Sequence, residues 1–331
     1  MNDKTFKALV VTETEDKSYK QEISDRVIAD LPDGEVLVRV HYSSLNYKDA
    51  LSATGNKGVT RKYPHTPGID AAGVVEECSN DQFKSGDQVI VTSYDLGMNT
   101  SGGFADYIRI PADWVVPCPE GLGLKDAMIY GTAGYTAGLC IEALLRSVKP
   151  EDGEILVTGA SGGVGSIAVA ILVKLGFEVV AVTGKTSEKD FFEKLGVKEV
   201  ISREDASDSS GRPVLKSRWA GVVDTVGGEI LATAVKTANY NAAVTCCGMV
   251  ASPDLPLNVF PFILRNVQLL GIDSQNTPMA LRKTIWDKLA SEWKLEHLDS
   301  LTQEIGMEQL PEYIQQILKG QIKGRTVVKL V

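Results

Sequence analysis

The chain has 331 residues, 44% hydrophobic and 23% charged, with a formal net charge of -9. That length suits two domains of ordinary size with ample core material, and an acidic balance without clustered Lys and Arg excludes nucleic acid as the main partner. No apolar run approaches the ~20 residues of a membrane span, which argues against a membrane partner as well.

The N-terminus, MNDKTFKALVV, enters a strand-like alternation and lacks the shape of a signal peptide. Five cysteines (Cys78, Cys118, Cys140, Cys246, Cys247) show neither disulfide-framework nor zinc spacing, so a cytoplasmic chain with reduced thiols is expected. Residues 1–122 carry short alternating strands at Lys7–Val11, Glu35–Tyr42, Ala72–Glu76 and Gln88–Thr92, with turns at Pro32-Asp33-Gly34 and Ser85-Gly86-Asp87. This spacing suits a β-barrel module.

Residues 123–270 read differently. Lys125–Leu145 has helical spacing and small residues, and apolar strands then follow at Ile155–Thr158, Val179–Thr183, Glu199–Ser202, Gly221–Asp224 and Ala243–Cys247. Helical stretches at Gly165–Leu175, Ser187–Leu195 and Glu229–Thr237 lie between them. Apolar strands alternating with amphipathic helices indicate a doubly wound parallel sheet, covered on both faces. Cys246 and Cys247 close an apolar run, which reads as core packing. Residues 271–331 hold helices at Pro278–Lys294 and Met307–Lys319, then a basic strand, Arg325–Val331, expected to return to the first module. The fold class is therefore α/β: a β-barrel domain joined to a Rossmann domain.

Glycines recur through Thr158-Gly159-Ala160-Ser161-Gly162-Gly163-Val164-Gly165, after the apolar strand EILV and before the helix SIAVAILVKLG. A pyrophosphate site makes three demands: a tight turn, room for backbone N–H groups, and close helix–strand contact. The helix N-terminus adds unpaired donors and a favourable dipole. An NAD site would place a carboxylate about 20 residues further on for the ribose 2′-hydroxyl. Here the second strand ends in Thr183-Gly184-Lys185, and Arg203 follows the third. A missing acid together with two bases points to NADPH, because a carboxylate would repel the 2′-phosphate and a guanidinium would bind it.

At this point a resemblance emerges. A GroES-like barrel followed by a Rossmann module resembles the medium-chain dehydrogenase/reductase superfamily over essentially the whole chain. Its zinc-dependent members carry Cys-x-x-Asp and Gly-His-Glu motifs and a four-cysteine lobe. The matching places read Asn46-Tyr47-Lys48-Asp49 and Gly68-Ile69-Asp70, and the lobe is missing. An isoleucine cannot ligate zinc, so no metal is expected. Ser43–Leu51, Pro67–Gly73, Gly131–Cys140, Asp152–Ser166, Val223–Gly228 and Phe260–Ser274 are similar to the quinone oxidoreductase branch, and within it to the acrylyl-CoA reductase (NADPH) group. In the cofactor pocket Lys185 stands where that group often has Arg.

The resemblance implies hydride transfer to the β-carbon of a C=C bond conjugated to a carbonyl, with a proton delivered afterwards to the enolate. Tyr47 is the expected proton donor, since a phenol keeps its proton at neutral pH. Asp49 is expected to orient a neighbouring donor or relay a proton, and Asn46 to offer an amide N–H to cofactor or carbonyl. The cofactor set expected from motif and resemblance is Tyr47, Ser161, Gly162, Gly163, Val164, Thr183, Gly184, Lys185, Arg203, Met249, Ile263 and Ser274. Arg265 and Asn266 are left open, while His41, His65 and His297 read as structural or surface residues. The acceptor is a small molecule, either a short enoyl-CoA (acrylyl-CoA first) or a quinone. A dinucleotide-binding regulatory protein without turnover is the reading from another class. The apolar segment Leu257–Ile272 suggests a homodimer through a paired edge strand, with a buried internal strand as the alternative.

Overall fold

The computed structural model describes residues 3–185 and 188–331. The chain forms two compact units. One runs from the N-terminus to Thr132 and takes in Gln275–Ala290 and Glu296–Val331; the other comprises Ala133–Ser274 and Ser291–Leu295.

In the first unit β1 (Thr5–Glu13) pairs antiparallel with β2 (Tyr19–Val27). The sequence gives no strand signal for β2, because YKQEISDRV is mostly polar. Its pairing with β1 along nine residues makes it a strand. Next come β3 (Val36–Ser44), the short helix α1 (Tyr47–Ala53), β4 (Asp70–Cys78), β5 (Gln88–Thr92), β6 (Tyr107–Ile110) and β7 (Val115–Pro117). Val36, Val38 and Val40 of β3 alternate inward at a period of two, onto Ala71, Val75, Val89 and Val91. The opposite pleat keeps Arg39 at the surface.

The helix α2 (Leu124–Leu144) is broken at Gly131 (φ 50°, ψ -157°). The sequence suggests bounds after residues 122 and 270; the compact units divide after Thr132 and Ser274. Apolar spacing runs unbroken across the break in α2, so the sequence carries no sign of it.

The second unit contains β8 (Glu154–Thr158), α3 (Gly163–Lys174), β9 (Val179–Val182), α4 (Lys189–Lys194), β10 (Glu199–Ile201), β11 (Trp219–Asp224), α5 (Gly228–Lys236), β12 (Ala238–Cys246), α6 (Phe260–Arg265) and β13 (Gln268–Gly271). Ser187, the expected start of α4, lies outside the described residues. The strands order β10-β9-β8-β11-β12-β13, all parallel. The chain winds outward from β8 in both directions, so the switch point lies between β8 and β11, where such sheets bind ligands. Leu156, Val180, Val222 and Val244, on four neighbouring strands, share one core with Leu231 and Val235 of α5.

The tail belongs mainly to the first unit: α7 (Met279–Ala290), β14 (Thr302–Gly306), α8 (Leu310–Leu318) and β15 (Arg325–Lys329). As expected for the basic end, β15 pairs antiparallel with β3 and parallel with β14. Among the described residues this gives a sheet ordered β14-β15-β3-β4-β5-β7, with β6 on the side of β3.

Candidate active site

The glycine turn meets the demands of a pyrophosphate site. Gly159 has φ 59°, and a Cβ there would lie 2.3 Å from Thr225 Oγ1; one on Gly165 would lie 2.4 Å from the Gly159 carbonyl oxygen. Helix α3 begins at Gly163 with Gly162 as its N-cap, and no side chain caps it. Its first-turn donors are thus left for a ligand, the arrangement that favours a bound anion. The turn is held from below: Thr158 Oγ1 donates to Asp224 Oδ1 at 2.7 Å and accepts from the Thr225 N–H at 3.0 Å, while the Gly227 N–H reaches Asp224 Oδ2 at 2.8 Å. Asp224 is fully buried, and burial raises its carboxyl above the ordinary range against the hydrogen bonds of Thr158 and Gly227. Neither Thr158 nor Asp224 stands out in the sequence as a buttress; the one available signal is a polar residue ending each of two apolar strands.

The residues expected to meet a 2′-phosphate converge. Ser161 Oγ and Thr183 Oγ1 are 3.1 Å apart and both buried, and Thr183 Oγ1 accepts the Lys185 N–H at 3.0 Å. A Cβ on Gly184 would meet Arg203 Cζ and Nε at 3.0 Å, so the guanidinium lies against this bare stretch of backbone. Ser161, Thr183, Gly184, Lys185 and Arg203 thus share one corner at the end of β9. The residues present fit a phosphorylated dinucleotide: hydroxyls, N–H donors and a guanidinium meet where an NAD site would have its carboxylate. The other expected cofactor residues of this unit lie elsewhere. Met249 is 70% exposed in the loop after β12, Ile263 is 73% exposed on α6, and Ser274 follows β13. Arg265 is committed to carbonyls, with Nη1 2.9 Å from Lys236 O and 3.1 Å from Ala238 O, and Asn266 donates to Asn241 Oδ1.

In the first unit the Asn46–Asp49 run opens α1. Asn46 is its N-cap, and Asp49, at the third helical position, accepts the Asn46 N–H at 2.7 Å on Oδ2 and the Ile69 N–H at 2.8 Å on Oδ1. Asp49 is fully buried. The Asn46 carboxamide turns inward: Nδ2 donates to Asp70 Oδ2 at 2.7 Å, with Ser44 O and Asp49 Oδ2 at 3.3 Å, and Oδ1 accepts from Arg325 Nη1 at 3.2 Å. The amide N–H expected to face cofactor or carbonyl is thus taken by protein acceptors, and Asn46 serves as an anchor. Tyr47 is 40% exposed, its hydroxyl engaged by no described residue. Lys48 donates to Gln275 Oε1 at 3.0 Å.

Sequence reading missed the centre of this site. Asp70 Oδ1 accepts from Thr132 N at 3.0 Å and Thr132 Oγ1 at 2.5 Å, and Oδ2 from Ser44 Oγ at 2.6 Å and Asn46. Arg325, 3% exposed, gives Nε to Ile129 O at 2.8 Å and Nη2 to Ser44 Oγ at 2.8 Å, with Asp70 Oδ2 at 4.0 Å. The break at Gly131 makes room, since a Cβ there would sit 2.5 to 2.8 Å from Ser44 Oγ, Asp70 Oδ2 and Arg325 Nη2. Burial, then the facing Asp70, push the Asp49 carboxyl up to about 7. Burial lowers the Arg325 pKa from its ordinary value, while Asp70 and Asp49 raise it. Among the described residues no three His, Cys, Asp or Glu converge as a metal set. His65 is buried, with Nε2 2.9 Å from the Gly97 carbonyl oxygen.

A barrel unit with a buried polar α1 start, followed by a Rossmann unit with a glycine phosphate turn, defines a dehydrogenase or reductase of the medium-chain type. The Alcohol dehydrogenase GroES-like domain family matches residues 32–120, and the Zinc-binding dehydrogenase family matches residues 163–291. The chain belongs to the medium-chain dehydrogenase/reductase superfamily, in the group that holds acrylyl-CoA reductases and quinone oxidoreductases. It is 43% identical to "Acrylyl-CoA reductase AcuI" of Ruegeria pomeroyi over 98% of both chains. It is 45% identical to "Putative quinone oxidoreductase YhfP" of Bacillus subtilis over 91% of this chain and 92% of that one. The crystal structure of YhfP with NAD bound superposes with a TM-score of 0.96, covering 99% of this chain and all of that one at 42% identity. The yhdH oxidoreductase of Salmonella enterica in complex with NADP gives 0.95, covering 98% and 100% at 42% identity.

The raised Asp49 carboxyl has a signed consequence. The fold retains the Asp49 proton at pH values where the unfolded chain has released it, so this group lowers stability progressively as pH rises from about 4 to about 7. Asp49→Asn lacks that slope. Melting curves across this window should show wild type losing ground to the variant as pH rises; parallel curves would contradict the assignment.

Proposed function

We propose that the protein is an NADPH-dependent reductase of an activated C=C bond, with acrylyl-CoA, reduced to propanoyl-CoA, as its acceptor. One observation carries the catalytic reading. Of the Asn46–Asp49 run, Asn46 and Asp49 are locked inward and Lys48 is tied to Gln275, while the Tyr47 phenol alone stands outward and uncommitted. The choice of acceptor rests on the likeness to an acrylyl-CoA reductase over 98% of both chains.

When bound, NADPH supplies the hydride that adds to the β-carbon. Ser161, Gly162, Gly163 and Val164 hold the pyrophosphate, while Thr183, Gly184, Lys185 and Arg203 hold the 2′-phosphate. Addition leaves an enolate on the thioester, and Tyr47 Oη gives its proton to the α-carbon, then regains one from solvent. Asn46 and Asp49 fix the helix start that carries Tyr47. Met249, Ile263 and Ser274 complete the cofactor site. The reading is that of a cytoplasmic enzyme; the five free cysteines suit a reducing compartment.

We also propose a homodimer. Strand β13 ends the sheet, paired on one side to β12, and Val259, Phe260, Ile263 and Leu264 are 48 to 73% exposed beside it. An apolar edge of this kind invites pairing with its twin.

Four tests bear on these assignments. NADPH oxidation should be fast with acrylyl-CoA, slower with crotonyl-CoA and slowest with benzoquinone; turnover with quinone alone would overturn the acceptor, and NADPH binding without any turnover would favour a regulatory protein. In the same assay Tyr47→Phe should lower kcat by about 10²- to 10⁴-fold, the range of general-acid catalysis, with NADPH affinity nearly unchanged. Arg203→Ala should weaken NADPH binding about tenfold or more, the worth of one charge-assisted hydrogen bond, and leave NADH binding unchanged. Leu264→Asp should shift the sedimenting species from dimer towards monomer; a monomeric wild type would remove the dimer.

A further inference from the structure

We propose that Arg325, brought by the last strand β15, is a positioning residue for the reaction: its guanidinium fork clamps the Asn46 carboxamide and thereby sets the helix start that presents Tyr47. The proposal rests on the reading of Tyr47 as proton donor.

The geometry is specific to a planar fork. Arg325 Nε holds the Ile129 carbonyl at 2.8 Å, just before the Gly131 break in α2. Nη2 holds Ser44 Oγ at 2.8 Å, and Nη1 holds Asn46 Oδ1 at 3.2 Å with Leu45 O at 3.4 Å. One rigid group thus links β15, α2, the end of β3 and the cap of α1. Asp70 completes the clamp from the other side, taking Asn46 Nδ2 at 2.7 Å and Ser44 Oγ at 2.6 Å. The carboxamide is therefore fixed at both ends, by a cation on its oxygen and a carboxylate on its nitrogen. That fixes its plane and, through the Asn46 N–H to Asp49 at 2.7 Å, the direction of the first helical turn. Tyr47 is the first residue of that turn.

A lysine at this position would keep the charge and lose the fork. Its single ammonium cannot reach Ile129 O, Ser44 Oγ and Asn46 Oδ1 from one stem with the angles a guanidinium provides. Charge compensation of Asp70 and positioning of Asn46 are therefore separable by Arg325→Lys.

The experiment compares wild type, Arg325→Lys and Arg325→Ala, each by kcat and KM for acrylyl-CoA, NADPH affinity, thermal stability and amide hydrogen exchange. Arg325→Lys should fold and bind NADPH within about threefold of wild type. Its kcat should fall by about 10- to 100-fold, as misplacement of a reacting group by about 1 Å does. Amide exchange at residues 46–50 should rise, with none at β8 and α3. In Arg325→Ala, millimolar guanidinium should restore part of kcat where methylammonium does not; if that variant does not fold, the lysine variant alone decides. Wild-type kcat in Arg325→Lys, or unchanged exchange at residues 46–50, would overturn the proposal. The exchange measurement needs no acceptor, so it still reports on the clamp if Tyr47→Phe shows that the phenol is not the donor.

Discussion

Asp49, Asp70 and Arg325 are shut away from water together at the opening of α1, and the rest of the first unit is arranged to make that tolerable. Removing one partner of a buried ion pair typically costs about 3–5 kcal/mol, because the remaining charge is left uncompensated. Two carboxylates against one guanidinium leave a residual negative charge. Burial and like-charge proximity therefore raise Asp49, while donors from Thr132, Ser44, Asn46 and Ile69 crowd around both acids. Satisfying so many acceptors at once requires elements far apart in sequence to meet within one hydrogen-bond length. The break in α2, the end of β3, the start of β4 and the last strand are each shaped by that requirement.

The second unit solves a different problem with less means. Its phosphate turn uses backbone rather than side chains: glycines where a Cβ would strike Thr225 or the Gly159 carbonyl, and a helix start left uncapped. The charged corner consists of Lys185 and Arg203 beside two hydroxyls. Binding a dianionic phosphate needs little more than that, since each donor aimed at a charged oxygen is about twice as strong as a neutral one. Thr158 and Asp224 buttress the turn from the ends of two adjacent strands, so the sheet itself sets its position.

The two sites divide the chemistry by residue type. Backbone N–H groups and fixed cations suit a ligand whose charge is permanent, and they lie on the parallel sheet. Tyr47, proposed as proton donor, sits on a seven-residue helix too short to orient itself by its own hydrogen bonds. Helix α1 is directed from outside, by the carboxamide at its cap and the acid at its third position. This is why the residues around Tyr47 are so heavily committed while its own hydroxyl is not.

What the sequence alone determined follows from local rules. A parallel sheet shows as apolar runs between helices, a phosphate turn shows as glycines between a strand and a helix, and a missing carboxylate after the second strand is visible by inspection. Those features depend on neighbours a few residues apart, so the Rossmann unit, the barrel strands β1, β3, β4 and β5, and the Ser161–Arg203 corner were legible. The polar strand β2, the break at Gly131, the inward turn of Asn46 and the meeting of Asp70 with Arg325 were not. Residues 70 and 325 are separated by most of the chain, and neither belongs to a spacing pattern that reports a partner. Only the pairing of β15 with β3 brings the guanidinium to Asn46. A charge is worth burying only where its counter-charge and its acceptors already stand, and that condition is settled by tertiary structure.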